Sequence, residues 1–425
     1  MQLKFFILIF LIGFFTSEYV LAQQLPLSDD NLTDTVLTKK ENFEIDFVQN
    51  YYSQTGENSA VTGGVGSEDL TNFNSGIILN IPLNKKSVLK INSGIDYYSS
   101  ASTDNIDNPF IIEGYTTGAS GQNFTPVEHV SGASSSDIRY HSKFNYVYKK
   151  NYQNEFGFGI SLSNEYDVFS LGAELSYSFI SKNKDNRLDF STSYFFDDWK
   201  LIYPIELRNA QIEYYPSDKR NSYTLSAVYS KIINKRIKIA LNADYIYQNG
   251  LLSTPFHRVM FVGERLARVE QLPEIRHKFP FSFSLNAFIL DNFILKTYYR
   301  YYFDNFEIKS HTARVEIPII INRWLRVYPA YRFYNQSQAY FFNPIWEANH
   351  AADFYTSDYD FSEFNSHTYS FGIAIKPVFG FARFKSFKKD KVFILDEIEL
   401  KYSRYHRTND LKAEIISLGF GFIQK

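Results

Sequence analysis

The sequence predicts a transmembrane antiparallel β-barrel of the outer-membrane type, with sixteen strands as the best count and fourteen to eighteen admissible. Three observations carry this. Runs of about ten to fourteen residues alternate apolar and polar side chains; tight turns alternate with long segments; aromatic residues cluster at one end of the runs. A sandwich also alternates, but its strands run nearer five or six residues. Membrane-spanning strands need about 9–11 residues at a 45° tilt.

Composition narrows the alternatives. The 425 residues contain 41 Phe, 33 Tyr and 3 Trp but no Cys, which favours β-structure and excludes a disulfide scaffold, a thiol enzyme and Cys-ligated zinc. A net charge of −2 points to no nucleic-acid partner.

Lys4, the apolar run Phe5 to Phe15 and Val20-Leu21-Ala22 read as an export signal cleaved after Ala22. The alternative, an anchor helix, needs roughly 20 apolar residues and finds too few. The chain therefore divides into a signal peptide (1–22), a short periplasmic leader (23–41) and a barrel (42–425), exported to the outer membrane of a Gram-negative bacterium.

Strands are expected at 42–53, 70–83, 88–99, 137–149, 153–165, 168–180, 187–197, 222–233, 236–248, 281–290, 293–303, 309–321, 324–335, 366–376, 392–403 and 411–423. The alternation is plain at 168–180, where Phe169, Leu171, Ala173, Leu175, Tyr177 and Phe179 interleave with Ser170, Gly172, Glu174, Ser176 and Ser178. Tight Asn-, Asp- and Lys-rich turns such as Asn234-Lys235 and Asp291-Asn292 fall on the periplasmic side, together with both termini. Long external loops occupy 54–69, 100–136, 198–221, 249–280 and 336–365; the basic stretch 377–391 is a longer periplasmic connection. Tyr51 and Tyr52, Tyr97 and Tyr98, Tyr194 to Phe196, Tyr245 and Tyr247, Tyr298 to Phe303 and Tyr331 to Tyr334 close the outward strands as one external girdle. Ile416, Leu418, Phe420 and Phe422 form a closing strand suited to the barrel-insertion machinery, and outer-membrane lipids are the other expected partner.

Three stretches carry a family resemblance: Tyr51-Tyr52-Ser53-Gln54 running into Ser59-Ala60-Val61-Thr62-Gly63-Gly64-Val65-Gly66, Asp96 to Asp107, and Leu252-Ser253-Thr254-Pro255-Phe256-His257-Arg258-Val259. Together they resemble an uncharacterised bacterial family of exported proteins, filed as a domain of unknown function. The resemblance implies an outer-membrane barrel over nearly all of the mature chain. It also implies envelope lipoprotein or redox partners, since members' genes often lie near those for a small lipoprotein, a thioredoxin-like protein and a flavin-attaching enzyme.

Enzyme motifs are absent, and no catalytic residue is assigned. The eight histidines (129, 141, 257, 277, 311, 350, 367, 406) are scattered. No cofactor is expected apart from weak calcium in the external loops, where Glu68, Asp69, Asp104 and Asp107, with Asn105 and Asn108, offer oxygen ligands. Ordinary Asx-turn chemistry in a solvated loop accounts for the same residues more simply. Arg258 to Leu272, following His257, reads as a small hairpin that either folds inward or protrudes.

The wet strand face divides by charge. An acidic wall is expected from Asp46, Asp96, Glu155, Glu165, Glu174 and Asp189, and a basic wall from Lys296, Arg300, Arg314, Arg326 and Arg332. Opposed walls either orient a small polar or anionic solute in an open lumen or pair across it and plug it. Three functions follow: a passive or gated channel, a non-transporting envelope scaffold that binds partners through loops or turns, and a barrel-rim hydrolase.

Overall fold

A computed structural model describes residues 42–100, 136–209, 216–264, 266–348, 350–385 and 391–424. Sixteen antiparallel strands close into one barrel. They are β1 (Glu44–Thr55), β2 (Leu70–Pro82), β3 (Ser87–Ser100), β4 (Ser136–Lys149), β5 (Asn154–Asn164), β6 (Val168–Ile180), β7 (Asn186–Lys200), β8 (Ser217–Asn234) and β9 (Ile237–Gly250). The circuit continues through β10 (Ile275–Leu290), β11 (Phe293–Asp304), β12 (Lys309–Glu316, resuming as Ile319–Ile320), β13 (Leu325–Gln336), β14 (Phe364–Ile375, resuming as Ala382–Lys385), β15 (Val392–Arg407) and β16 (Lys412–Gln424). Each strand pairs with its sequence neighbour, and β16 returns to β1 over Glu44↔Ile423 to Thr55↔Lys412. Closure leaves no sheet edge, the condition for placing strands in hydrocarbon.

The period of two sorts every strand into an outer and an inner face. Outward residues are large, apolar and uncovered, as at Phe158, Leu171, Leu175 and Leu225. Their exposure is what lipid contact requires. Inward residues are Ser, Gly, Asn and charged groups, many of them small enough for the neighbouring strand's polar side chains to lie over them.

The expected girdle is corrected by that same period. Tyr51, Tyr97, Tyr299 and Tyr331 are exposed on the lipid side. Tyr52, Tyr98, Tyr302 and Tyr334, their near neighbours in sequence, turn into the mouth of the lumen and donate hydroxyls to Gln54, Glu165, Asp304 and Gln336 at 2.6–2.7 Å. Adjacent tyrosines cannot share a face of a strand. On the lipid side the girdle is completed by Tyr–His pairs, Tyr245 with His277 at 2.9 Å and Tyr299 with His311 and Tyr331 with His367 at 2.8 Å.

Within the basic 377–391 stretch, the described residues 377–385 do more than connect two strands. After a turn in which Gly380 (φ +71°) donates to the Pro377 carbonyl, Ala382–Lys385 pairs with Val392–Leu395 and lengthens the sheet.

Candidate functional site

Inner-face charges occupy the barrel wall. Each of Asp46, Asp96, Glu155, Glu165, Glu174, Asp189, Lys296, Arg300, Arg314, Arg326 and Arg332 alternates with lipid-facing neighbours and points inward. Among the described residues their ion pairs run within one strand or between nearby strands. Lys296 Nζ lies 3.0 Å from Glu316 Oε1, and Arg314 bonds the other oxygen of the same carboxylate. Arg326 pairs with Glu397 at 2.7 Å, and Lys376 with Asp396 and Glu397 at 3.1 and 3.0 Å. On the acidic side, Lys143 meets Glu174 at 2.6 Å, Arg187 meets Asp189 at 2.7 Å and Glu155 at 3.3 Å, and Arg139 lies 3.7 Å from Glu165. Asp96 faces His141 at 3.3 Å. Arg187, Lys376, Asp396 and Glu397, absent from the sequence-derived walls, therefore complete much of the pairing.

Two arginines stand apart. Arg314 and Arg332 are direct cross-strand partners, and Arg300 sits on the next strand opposite Thr312. Among the described residues neither Arg300 nor Arg332 has a carboxylate within 4.0 Å. Like charges directly opposite destabilise a sheet unless something between them carries the opposite sign. The paired side chains also stay wet: Lys296 is 46% exposed, Arg314 42% and Lys143 39%.

Above the lumen lies the part that sequence reasoning missed. The most deeply buried apolar side chains of the described chain, Val259, Phe261, Phe306 and Phe341, belong to external loops and not to the barrel wall. Segments 56–69, 201–209, 251–274, 305–308 and 337–363 fold onto one another as a cap with its own apolar core. Arg258, 3% exposed, ties its own segment to two others: its guanidinium reaches Glu206 on the short helix α1 (Ile205–Asn209) at 2.6 and 2.9 Å, and the Val61 carbonyl at 2.6 Å. The run at Gly63 (φ +84°) and Gly64 (φ +91°) lets this backbone approach Met260 and Ser357 where a Cβ would crowd them.

The cap is fastened to the inner rim. Arg407 on β15 donates to Asp360 Oδ1 at 2.6 Å and the Tyr359 carbonyl at 2.7 Å. Gln336 on β13 donates to the carbonyls of Asp360 and Ser362 at 2.9 and 2.7 Å. The small hairpin pairs Arg258–Val259 with Arg268–Val269, as its alternation suggested, and it is folded into the cap.

At the base of that hairpin, His257 Nδ1 stands 3.5 Å from Glu270 Oε2 and 3.7 Å from Asp358 Oδ2. Burial alone pulls the imidazole down, but Glu270 and then Asp358 more than offset it and hold His257 above its ordinary value. Burial, reinforced by Asp360, pushes Asp358 up to about 7, with His257 opposing. The nearby Thr356 hydroxyl donates to Glu270 at 2.5 Å and not to His257.

Of the calcium candidates, Glu68 accepts from the Asn58 N–H at 3.3 Å and its carboxyl is raised by burial, while Asp69 is exposed. Asp104 and Asp107 lie outside the described residues.

A family model described as a protein of unknown function (DUF3570) matches residues 19–381. No curated protein matches in sequence. Similar solved structures include a mutant of the Pseudomonas aeruginosa ferric enterobactin receptor PfeA, 8% identical, with a TM-score of 0.44 over 85% of this chain and 53% of that one. OccK1 (OpdK) of the same organism is 7% identical with a TM-score of 0.40, covering 90% of this chain and 99% of that one. OccAB3 of Acinetobacter baumannii is 8% identical with a TM-score of 0.39, also over 90% and 99%. The chain thus spans about half the length of the receptor.

Proposed function

The chain belongs to the DUF3570 family, an outer-membrane β-barrel family of unknown function, and from that premise we propose that it is a capped channel for small polar or anionic solutes. One observation carries this reading: the wall cations Lys143, Lys296, Arg314 and Lys376 pair with neighbours along the wall and stay 39–49% exposed, although partners such as Glu316, at 13%, are more deeply covered. A lumen plugged by cross-lumen pairing would bury them. Arg300 and Arg332 add positive charge that no described carboxylate neutralises, so a passing carboxylate or phosphate meets donors it can engage. The cap, fastened to β13 and β15, supplies the gate.

Conductance of the purified protein in planar bilayers tests this. Wild type should conduct with anion preference, and Arg300→Gln with Arg332→Gln should move the reversal potential toward cations while the barrel keeps its heat-modifiable gel migration. A folded protein that never conducts, even with its external loops cut, would remove the channel reading.

A further inference from the structure

We propose that His257, Glu270 and Asp358 form a binding site for a first-row divalent cation of the zinc class, which locks the two largest cap segments together. Three donor atoms from two loops converge here, and they are poorly placed to satisfy one another. Nδ1 of His257 makes only a long hydrogen bond of 3.5 Å to Glu270 Oε2 and lies 3.7 Å from Asp358 Oδ2, beyond hydrogen-bond length. Those separations approach the roughly 3.3 Å donor–donor edge of a tetrahedral ion with bonds of about 2.0–2.1 Å.

The carboxylates are held as ligands are held. Glu270 Oε1 accepts the Thr254 N–H at 2.7 Å and Oε2 the Thr356 hydroxyl at 2.5 Å. Asp358 Oδ1 accepts the Asp360 N–H at 2.8 Å, which leaves Oδ2 turned to the imidazole. Such outer contacts orient first ligands in metal sites.

Charge balance points the same way. Two carboxylates face one imidazole, and the cap's buried arginines are engaged elsewhere, Arg258 with Glu206 and Arg407 with Asp360. The Glu270 side chain is 1% exposed, His257 16% and Asp358 19%, so the cluster keeps partial solvent access for a fourth ligand such as water. One nitrogen and two carboxylates suit zinc; calcium prefers six to eight oxygens. His257 and Glu270 are cross-hairpin neighbours, joined by the Glu270 N–H to the His257 carbonyl at 3.0 Å, whereas Asp358 comes from segment 337–363. A bound ion therefore ties hairpin to neighbouring loop.

The full-length barrel, refolded in detergent and stripped with a chelator, is titrated with zinc chloride by calorimetry, its folding followed by heat-modifiable migration. Saturable uptake of one zinc per chain is expected, with affinity weakened tenfold or more in both His257→Gln and Asp358→Asn, and no displacement by excess calcium. Cobalt substituted into wild type should give the visible bands of a tetrahedral nitrogen–oxygen site, a readout that needs no variant to fold. Folded wild type that binds no stoichiometric zinc, variants that bind as tightly as wild type, or displacement by calcium would each overturn the proposal.

Discussion

Replacing Arg258 by Ala should open the cap without unfolding the barrel. The guanidinium is 3% exposed and makes two bonds to Glu206, at 2.6 and 2.9 Å, and one to the Val61 carbonyl, so its loss strands a carboxylate and a carbonyl in an apolar setting. Removing one partner of a buried pair costs about 3–5 kcal/mol. Glu206 retains 14% side-chain exposure and can turn partly toward water, which places the cost near the lower end. About 3 kcal/mol raises the open population roughly a hundredfold. When opening is fast relative to cleavage, proteolysis tracks that population. Chymotrypsin should therefore cut segment 251–274 of folded Arg258→Ala about a hundred times faster than wild type. Arg258→Met combined with Glu206→Leu should regain part of the protection, because apolar replacement of a whole buried pair is often neutral, less about 1–3 kcal/mol for the unpartnered Val61 carbonyl. Equal cutting of Arg258→Ala and wild type, or a double variant more labile than the single, would refute the reasoning.

Three further outcomes follow from the same geometry. Leu171→Arg should impair membrane insertion, since an Arg facing lipid at mid-depth costs about 2–4 kcal/mol, whereas Ser170→Arg should insert normally; equal yields in outer-membrane fractions would mean the faces are reversed. Gly250→Ala should lower the thermal midpoint, because the residue sits at φ +106° and a Cβ there would overlap the Lys219 carbonyl; an unchanged midpoint would contradict the strained junction of β8 and β9. Asp167, in the outer turn after β5, is pushed from 3.8 to about 6 by burial, Glu165 and Asp137. Its folded-state value is raised, so its stabilising contribution is present below about pH 4 and lost as pH rises toward 6. The wild-type thermal midpoint should accordingly fall across that window more than that of Asp167→Asn, and parallel pH profiles would dismiss the assignment.

The barrel was legible because every spanning strand obeys one rule, a period of two between lipid and water, and that rule acts within ten or so neighbouring residues. All sixteen strands stand where alternation places them, although β8 starts at Ser217 and not at 222, and β10 at Ile275 and not at 281. Those extensions carry charged residues, Asp218, Lys219, Arg220 and Arg276, which hydrophobic alternation cannot see because they lie at the outer rim. The cap was illegible for a different reason. His257 and Asp358 are about a hundred positions apart, on loops with no period, and only the folding of those loops onto Val259 and Phe261 brings them together. One signal was available: the resemblance-bearing runs Ser59 to Gly66 and Leu252 to Val259 both build the cap, so their distinctiveness belonged to tertiary packing. The charged walls were read from one face of each strand, but their partners were not, since Arg187 and Glu397 could be paired only once strand register was known.

The join between β1 and β16 is the longest-range pairing of the wall. Asn50 accepts the Ser417 hydroxyl at 2.5 Å across 367 positions of sequence, and Gln424 donates to the Phe43 carbonyl at 2.8 Å. Every other wall contact can zip up between consecutive hairpins, with short loops to close and little entropy to lose at each step. The seam cannot. Until the last strand arrives, β1 presents an open row of amides and carbonyls, which hydrocarbon does not tolerate and which would template pairing with any other edge. Closure of the barrel, and with it the covering of that row, therefore waits on the arrival of the last strand.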